Sequence, residues 1–152
     1  RDCLLSRGLG DVYKRQVPFR VVPGITSAMS AATAAGVPLT HRGLTQGFTV
    51  VSGHVPPGDP RSDLDWTALA NSGTTLAILM GVKNLPEICS ALIDGGMDPA
   101  TPAVTVEQAS TPAQRVLRGT VATIAEQCAD AGVAPPATTV IGQVAALDLT
   151  SD

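Results

Sequence analysis

An α/β fold built on a mixed sheet is what this sequence predicts, and three observations predict it. Short β-rich runs alternate with capped helical runs from Phe48 onward, two such runs near residues 103–118 follow each other with no helix between them, and 44% of the 152 residues are hydrophobic against 15% charged. Alternation implies strands and helices in layers, while a direct strand pair implies antiparallel neighbours in the same sheet. That composition excludes a disordered acidic tail, and no apolar run approaches the roughly 18 residues of a membrane helix.

Arg1 to Gln16 stands apart. It has no sustained strand or helix period and no signal-peptide order, and it holds Arg1, Arg7, Lys14 and Arg15, four of the ten basic residues. It resembles translated sequencing-adaptor read-through, so residues 1–16 are expected to be a non-native leader outside the fold. The rest carries six basic and eleven acidic side chains, a formal charge of −5. With no Lys/Arg cluster there and only Phe19, Phe48 and Trp66 as aromatics, a nucleic-acid surface is not expected. A small metabolite is the expected partner.

Val17 to Val22 is a short β-rich run stopped by Pro23-Gly24. Next, Thr26 or Ser27 can cap a helix that Gly36 ends, with Ala28, Ala31, Ala32 and Ala35 forming a small-residue stripe that lets another backbone come close. A strand feeding a helix N-terminus aims N–H groups beyond the strand's carboxyl end, where open α/β sheets bind ligands. Phe48 to Ser52 reads as a buried strand, residues 54–63 as a Pro/Gly-rich loop, and Asp65 as the start of a short helix through Trp66, Leu69 and Ala70. Thr74 to Met80 is a second buried strand, and Asn84 caps a helix from Leu85 to Asp94 that has Pro86 in its first turn and Gly95-Gly96 at its end. Ala103 to Glu107 and Gln114 to Arg118 form the strand pair, Thr120 caps a helix to Ala131, and Thr138 to Leu147 is the last strand.

Cys89 and Cys128 have neither CxxC spacing nor a histidine at ligand distance in sequence, so no metal site and no disulfide framework is expected. Each falls on an apolar helical stripe, Leu85, Ile88, Cys89 and Leu92 in one case and Val121, Ile124, Ala125 and Cys128 in the other. Both read as small buried hydrophobes in a reducing, cytoplasmic compartment.

Six stretches in this order, VPFRVVPGITSAMSAATAAGVPLTHRG, FTVVSGH, LDWTALA, TLAILMGVKNLPEI, TPAVTVEQAST with AQRVLRGT, and PPATTVIGQV, resemble the uroporphyrinogen-III C-methyltransferases of the tetrapyrrole methylase family. The resemblance runs from Val17 to about Leu147. It implies S-adenosylmethionine (SAM) as methyl donor, uroporphyrinogen III as substrate, and precorrin-2 as product through precorrin-1, in sirohaem and cobalamin synthesis. It also implies that residues 17–45 are the last strand and linker helix of an N-terminal α/β domain, and that residues 46–150 form the C-terminal SAM-cleft domain. The family's Gly-rich donor loops and its acid/base groups have no counterpart here, so no catalytic residue is assigned. A fragment inactive alone, and homodimeric in its full-length parent, is expected.

The resemblance places Thr26 and Ser27 against SAM, Met80 against its adenine, Ala109 at a backbone contact where the family often has glycine, and Ala137 and Thr138 near the adenine or ribose. Arg42 could clamp an acetate or propionate of a substrate with eight carboxylates, its alternative being a structural hydrogen bond in the turn. His41 is weighed as a base and set below that. Lys83 and Asn84 read as turn and cap, Arg115 and Arg118 as solvated charges on one strand face, and His54 as a strand-end residue without assigned chemistry. Pro57-Gly58-Asp59-Pro60 spells a donor-loop motif but falls in a variable connection and reads as a solvated loop. A non-catalytic SAM- or tetrapyrrole-binding module and a later precorrin methyltransferase remain the alternatives.

Overall fold

A computed structural model of the chain describes residues 20–149. The leader expected over 1–16 and the first residues of the run at Val17 lie outside them. Among the described residues five strands make a single mixed sheet: β1 (Phe48–Ser52), β2 (Thr75–Leu79), β3 (Pro102–Glu107), β4 (Arg115–Thr120) and β5 (Ala137–Ile141), in spatial order β1-β2-β5-β3-β4. β1 and β2 are parallel, whereas β5 runs antiparallel to both β2 and β3, and β4 antiparallel to β3. The carboxyl ends of β1, β2 and β3 therefore share one edge of the sheet with the start of β5.

Helices cover both faces. On one lie α2 (Trp66–Ala70), α3 (Leu85–Asp94) and α4 (Ile124–Asp130), packed through Leu85, Ile88, Leu92 and Ile124 onto Leu76, Ile78 and Ile141. Asp65 starts α2 as expected, its Oδ1 accepting from the Ala68 N–H at 2.9 Å. Both cysteines are buried in this layer; burial pushes the Cys89 thiol up to about 11 and also raises that of Cys128, so both stay protonated near neutrality. On the other face lies α1 (Ser27–Ala34), capped by Thr26. Ala31, Ala32 and Ala35 bring it close to Val104, Val106 and Val140 of β3 and β5, as the small-residue stripe predicts.

Four local expectations are corrected. Residues 20–22 form no strand, and Val21 and Val22 are exposed, because no neighbouring strand among the described residues offers them a ladder. β1 is an edge strand rather than a buried one: Val51 faces the α3 layer, while Phe48 and Val50 lie on the face that α1 leaves bare. α4 begins at Ile124 instead of just after Thr120, since residues 120–123 form a turn in which the Thr123 hydroxyl accepts from the Thr120 N–H at 3.0 Å. The last strand ends at Ile141 because Gly142 takes φ 143°, which non-glycine residues avoid, and a 3-10 turn, Gln143–Ala146, replaces its second half.

Arg115 and Arg118 are not solvated charges on one face. Three residues apart on a strand, they point to opposite faces. Arg115 pairs with the buried Glu107 carboxylate and donates to the Ala131 carbonyl at 2.9 Å, on the α4 side. Arg118 donates to the carbonyls of Ala35 at 2.6 Å, Ala145 at 3.1 Å and Leu147 at 3.0 Å, with Asp148 at 3.3 Å, and so ties the end of α1 to the C-terminal turn.

Candidate functional site

The edge where β1, β2 and β3 end carries backbone conformations that L residues rarely adopt. Met80, one residue past β2, has φ 55°, and Gln108, one past β3, has φ 47°, with Ser110 at 64°. Left-handed non-glycine residues cost free energy and persist where surrounding contacts enforce them, often at binding sites. Those contacts are present in the second loop: Thr111 Oγ1 donates to the Gln108 carbonyl at 2.8 Å, and Gln114 Oε1 accepts from the Ser110 N–H at 2.7 Å. The other end of the Gln114 amide donates to the Ala34 carbonyl at 3.0 Å, which anchors the loop to α1.

Between these turns and the start of α1 opens a cleft of about 700 Å³, a size suited to a small-molecule ligand. Its floor is a row across three adjacent strands, Leu79 of β2 beside Thr138 of β5 beside Val106 of β3, on the face that α1 covers. Ser27, Ser30 and Ala31 of α1 form one wall, and Met80, Val82 and Lys83 another. Gln108, Ala109, Thr111 and the segment Pro135 to Ala137 close the remainder. The surface is apolar, with hydroxyls at Ser27, Ser30, Thr111 and Thr138, and can enclose a flat ring while offering hydrogen bonds at its margin.

The residues singled out from sequence come together here. Ser27, Met80, Ala109, Ala137 and Thr138, spread over more than a hundred positions, all line the cleft. Thr26 does not line it; its Oγ1 accepts from the Ala28 N–H at 3.4 Å and it serves as the cap. Ala109 is free of the conformational conflict that an alanine raised, because the positive φ values fall on its neighbours Gln108 and Ser110. Met80 is 65% exposed and projects beyond the strand instead of into the core.

Arg42 does not line this cleft. It sits in the exposed turn closed by the His41–Thr45 bridge, where a shallow depression is bounded by Thr40 to Gly43, Thr45 and Gln46. Among the described residues its guanidinium makes no hydrogen bond or ion pair. His41 Nδ1 lies 2.9 Å from the Arg42 carbonyl within the same turn.

The Pro57 to Pro60 loop lies outside the cleft and binds itself: both Asp59 oxygens accept from the Arg61 guanidinium, and that hydrogen bonding holds the Asp59 carboxyl down at about 2. Asn84 is corrected. It stands at the start of α3 but makes no capping bond; buried, it donates from Nδ2 to the carbonyls of Gly53 at 2.8 Å and His54 at 3.0 Å. The tie is possible because Gly53 and Gly81 touch, a Cβ on Gly53 falling 2.6 Å from the Gly81 Cα. Sequence reasoning left His54, Lys83, Gln108 and Thr111 out of the site. His54 lies two residues past the end of β1, a usable signal, whereas the left-handed Gln108 has no signature in residue type.

Among the described residues no three His, Cys, Asp or Glu side chains gather as a metal site, and no helix is long and apolar enough to cross a membrane.

Comparison with known proteins adds an independent line. Residues 9–125 match the family model described as Tetrapyrrole (Corrin/Porphyrin) Methylases, a match that opens within the segment set aside from sequence. A siroheme synthase of Methylococcus capsulatus is 42% identical over 131 residues, and one of Chromobacterium violaceum 45% over 131; each alignment covers 86% of this chain and 27% of the relative. A uroporphyrin-III C-methyl transferase from Thermus thermophilus, solved in complex with S-adenyl homocysteine, superposes with a TM-score of 0.69 at 38% identity, over 88% of this chain and 54% of that one. A cobalt precorrin-4 methyltransferase gives a TM-score of 0.77 at 26% identity, over 88% and 56%. The chain thus spans about a quarter of those synthases and just over half of those solved structures.

Proposed function

Because the chain belongs to the tetrapyrrole (corrin/porphyrin) methylase family, we propose that it is part of a SAM-dependent C-methyltransferase that converts uroporphyrinogen III to precorrin-2 through precorrin-1, and that it forms one wall of the cleft for the methyl donor. The observation that carries this reading is the gathering of Ser27, Met80, Ala109, Ala137 and Thr138 around one cleft. Residues 46–150 are then the cleft domain, and residues 17–45 the end of the unit that precedes it. The working enzyme is cytoplasmic and homodimeric in this reading.

The donor supplies an electrophilic methyl carbon on a sulfonium. The chain's residues bind and orient. The Met80 thioether offers a polarizable surface to an adenine face, and Ala137 and Thr138 border the adenine or ribose. Ser27, behind the Thr26 cap, presents a hydroxyl at the start of α1, and Ala109 presents backbone. Leu79, Val82 and Val106 exclude water, which strengthens every polar contact inside. Arg42, in its exposed turn, reaches for an acetate or propionate of the substrate. No residue here is assigned to remove the ring proton, so the chain alone is expected to be inactive.

Titration with S-adenosylhomocysteine, followed by amide chemical shifts, tests the reading. Weak binding is expected, with the largest shifts at Ser27, Met80, Ala109 and Thr138. Shifts confined to other surfaces, or none at millimolar ligand, would remove the assignment.

A further inference from the structure

We infer that Glu107 and Arg115 are positioning residues for the cleft: from the opposite side of the sheet they hold the turn that leads into Pro135, Pro136 and Ala137, and thereby set how tightly the donor is bound. The inference rests on the reading of the cleft as a donor site. Its first support is what this wall lacks. Residues 133–136 belong to no helix or strand, yet Pro135, Pro136 and Ala137 line the cleft. Neither proline has an N–H to give to a neighbouring strand. The N–H groups of residues 133–136 are therefore those of Val133 and Ala134. Val133 donates back to the Cys128 carbonyl of α4 at 2.9 Å, whereas Ala134 donates to Glu107 Oε1 at 2.8 Å. The other tie to this side is the bond from the Gln108 N–H to the Pro136 carbonyl, at 2.9 Å.

The second support is how the pair is itself held. Glu107 is buried, and each carboxylate oxygen has a partner, Arg115 Nε on Oε2 and the Ala134 N–H on Oε1. Those two donors, Arg115 above all, hold the carboxyl below the usual carboxylate range, so it is ionised at neutral pH. The half-exposed Arg115 reaches on to the carbonyls of Ala131 at 2.9 Å and Gly132 at 3.5 Å, just past the end of α4, where carbonyls have no partner inside the helix. A planar guanidinium can meet a carboxylate and a carbonyl at once; an ammonium is a single point of charge.

The third support is register. Glu107 lies between the lining residues Val106 and Gln108 and pairs across the sheet with Ala137, where the wall enters β5. A side chain fixed at this point ties the floor of the cleft to its wall. Neither Glu107 nor Arg115 lines the cleft, so their effect on a ligand passes through the backbone they hold. A wall ordered before the ligand arrives lowers the entropy lost on binding.

The test uses the whole chain with Glu107→Gln and Arg115→Met combined, which removes both charges together and leaves no buried charge unpaired, and separately with Arg115→Lys. Ile78→Ala is the destabilised control, a core change that leaves the turn intact. Two quantities are read: native-state amide exchange at Ala134 and Gln108, and S-adenosylhomocysteine affinity from amide-shift titration, corrected for the folded fraction. In the double variant, exchange at both amides should rise about tenfold beyond any rise in the central strand β2, and affinity should fall about tenfold. Arg115→Lys should lie between parent and double variant, since it keeps the charge and loses the fork, and Ile78→Ala should bind as the parent does. Unchanged exchange at Ala134 and Gln108 overturns the inference, as does a rise matched throughout β2, which marks a general loss of stability. If the turn loosens while S-adenosylhomocysteine binds as before, the inference falls and the donor cleft stands. If the unaltered chain binds none, the donor reading falls and takes the inference with it.

Discussion

The two faces of the sheet are packed by different chemistry. Against α3 and α4 the contacts are large, with Leu76, Ile78, Leu85, Ile88, Leu92 and Ile124 all fully buried. Against α1 they are small, alanine on valine, with Ala31, Ala32 and Ala35 meeting Val104, Val106 and Val140. Large aliphatic side chains remove more apolar area from water per residue, so the first face carries most of the stability. Small ones let a helix axis come close, so the second face fixes where α1 begins and hence where Ser27 and Ser30 stand over the cleft floor. One face holds the domain together and the other sets the site.

The largest expected effect lies on the first face. Ile78→Ala removes a fully buried side chain among Leu76, Ile88 and the glycine junction, and should destabilise the chain by about 2–5 kcal/mol in urea unfolding. A cost below about 1 kcal/mol, less than even Ile→Val losses often reach, would show that this face is no more demanding than the other. On the second face the sensitive change runs the opposite way. Ala32→Leu adds bulk where the helix meets the sheet and should cost about 1–3 kcal/mol by overpacking. It should also move the amide shifts of Ser27, Ser30 and Thr138, which Ile78→Ala should leave nearly alone in the folded population. Equal movement in both variants would erase the division of labour between the faces.

How much of this was legible in the sequence follows the same division. The stripe Leu85, Ile88, Cys89 and Leu92 and the alanine stripe of α1 are periodic within one helix, and both are buried as expected. Cleft residues such as Met80, Ala109 and Thr138 came from motif resemblance, each at a strand end where the fold places ligands. What stayed hidden was relational. The edge position of β1 depends on strand order, which no local pattern carries, so an apolar FTVVS run looked like an interior strand. Arg118 looked solvated because its acceptor on α1, the Ala35 carbonyl, lies 83 residues away. Asn84 looked like a cap because its partners, Gly53 and His54, are brought beneath it only when the two glycines meet.

The smallest expected effect concerns the seam where both faces reach the cleft, and it separates an enforced conformation from an incidental one. Gln108 holds φ 47° at the end of β3, a conformation that costs an L residue roughly 1 kcal/mol and glycine almost nothing. Gln108→Gly therefore relieves local strain while it loosens the unfolded chain, and the two nearly cancel, leaving stability within about 0.5 kcal/mol of the parent. Gln127 provides the contrast, since it lies inside α4, where glycine brings no relief. Gln127→Gly should cost about 1 kcal/mol. If the two substitutions cost the same in urea unfolding, the left-handed turn is not strained, and Thr111 and Gln114 brace a loop that would adopt its shape unaided. If Gln108→Gly is near neutral yet weakens S-adenosylhomocysteine binding more than Gln108→Ala, which removes the same cleft-lining side chain, the strain is maintained for the cleft, because what separates the two variants is the fixed direction in which the backbone at Ala109 faces the ligand.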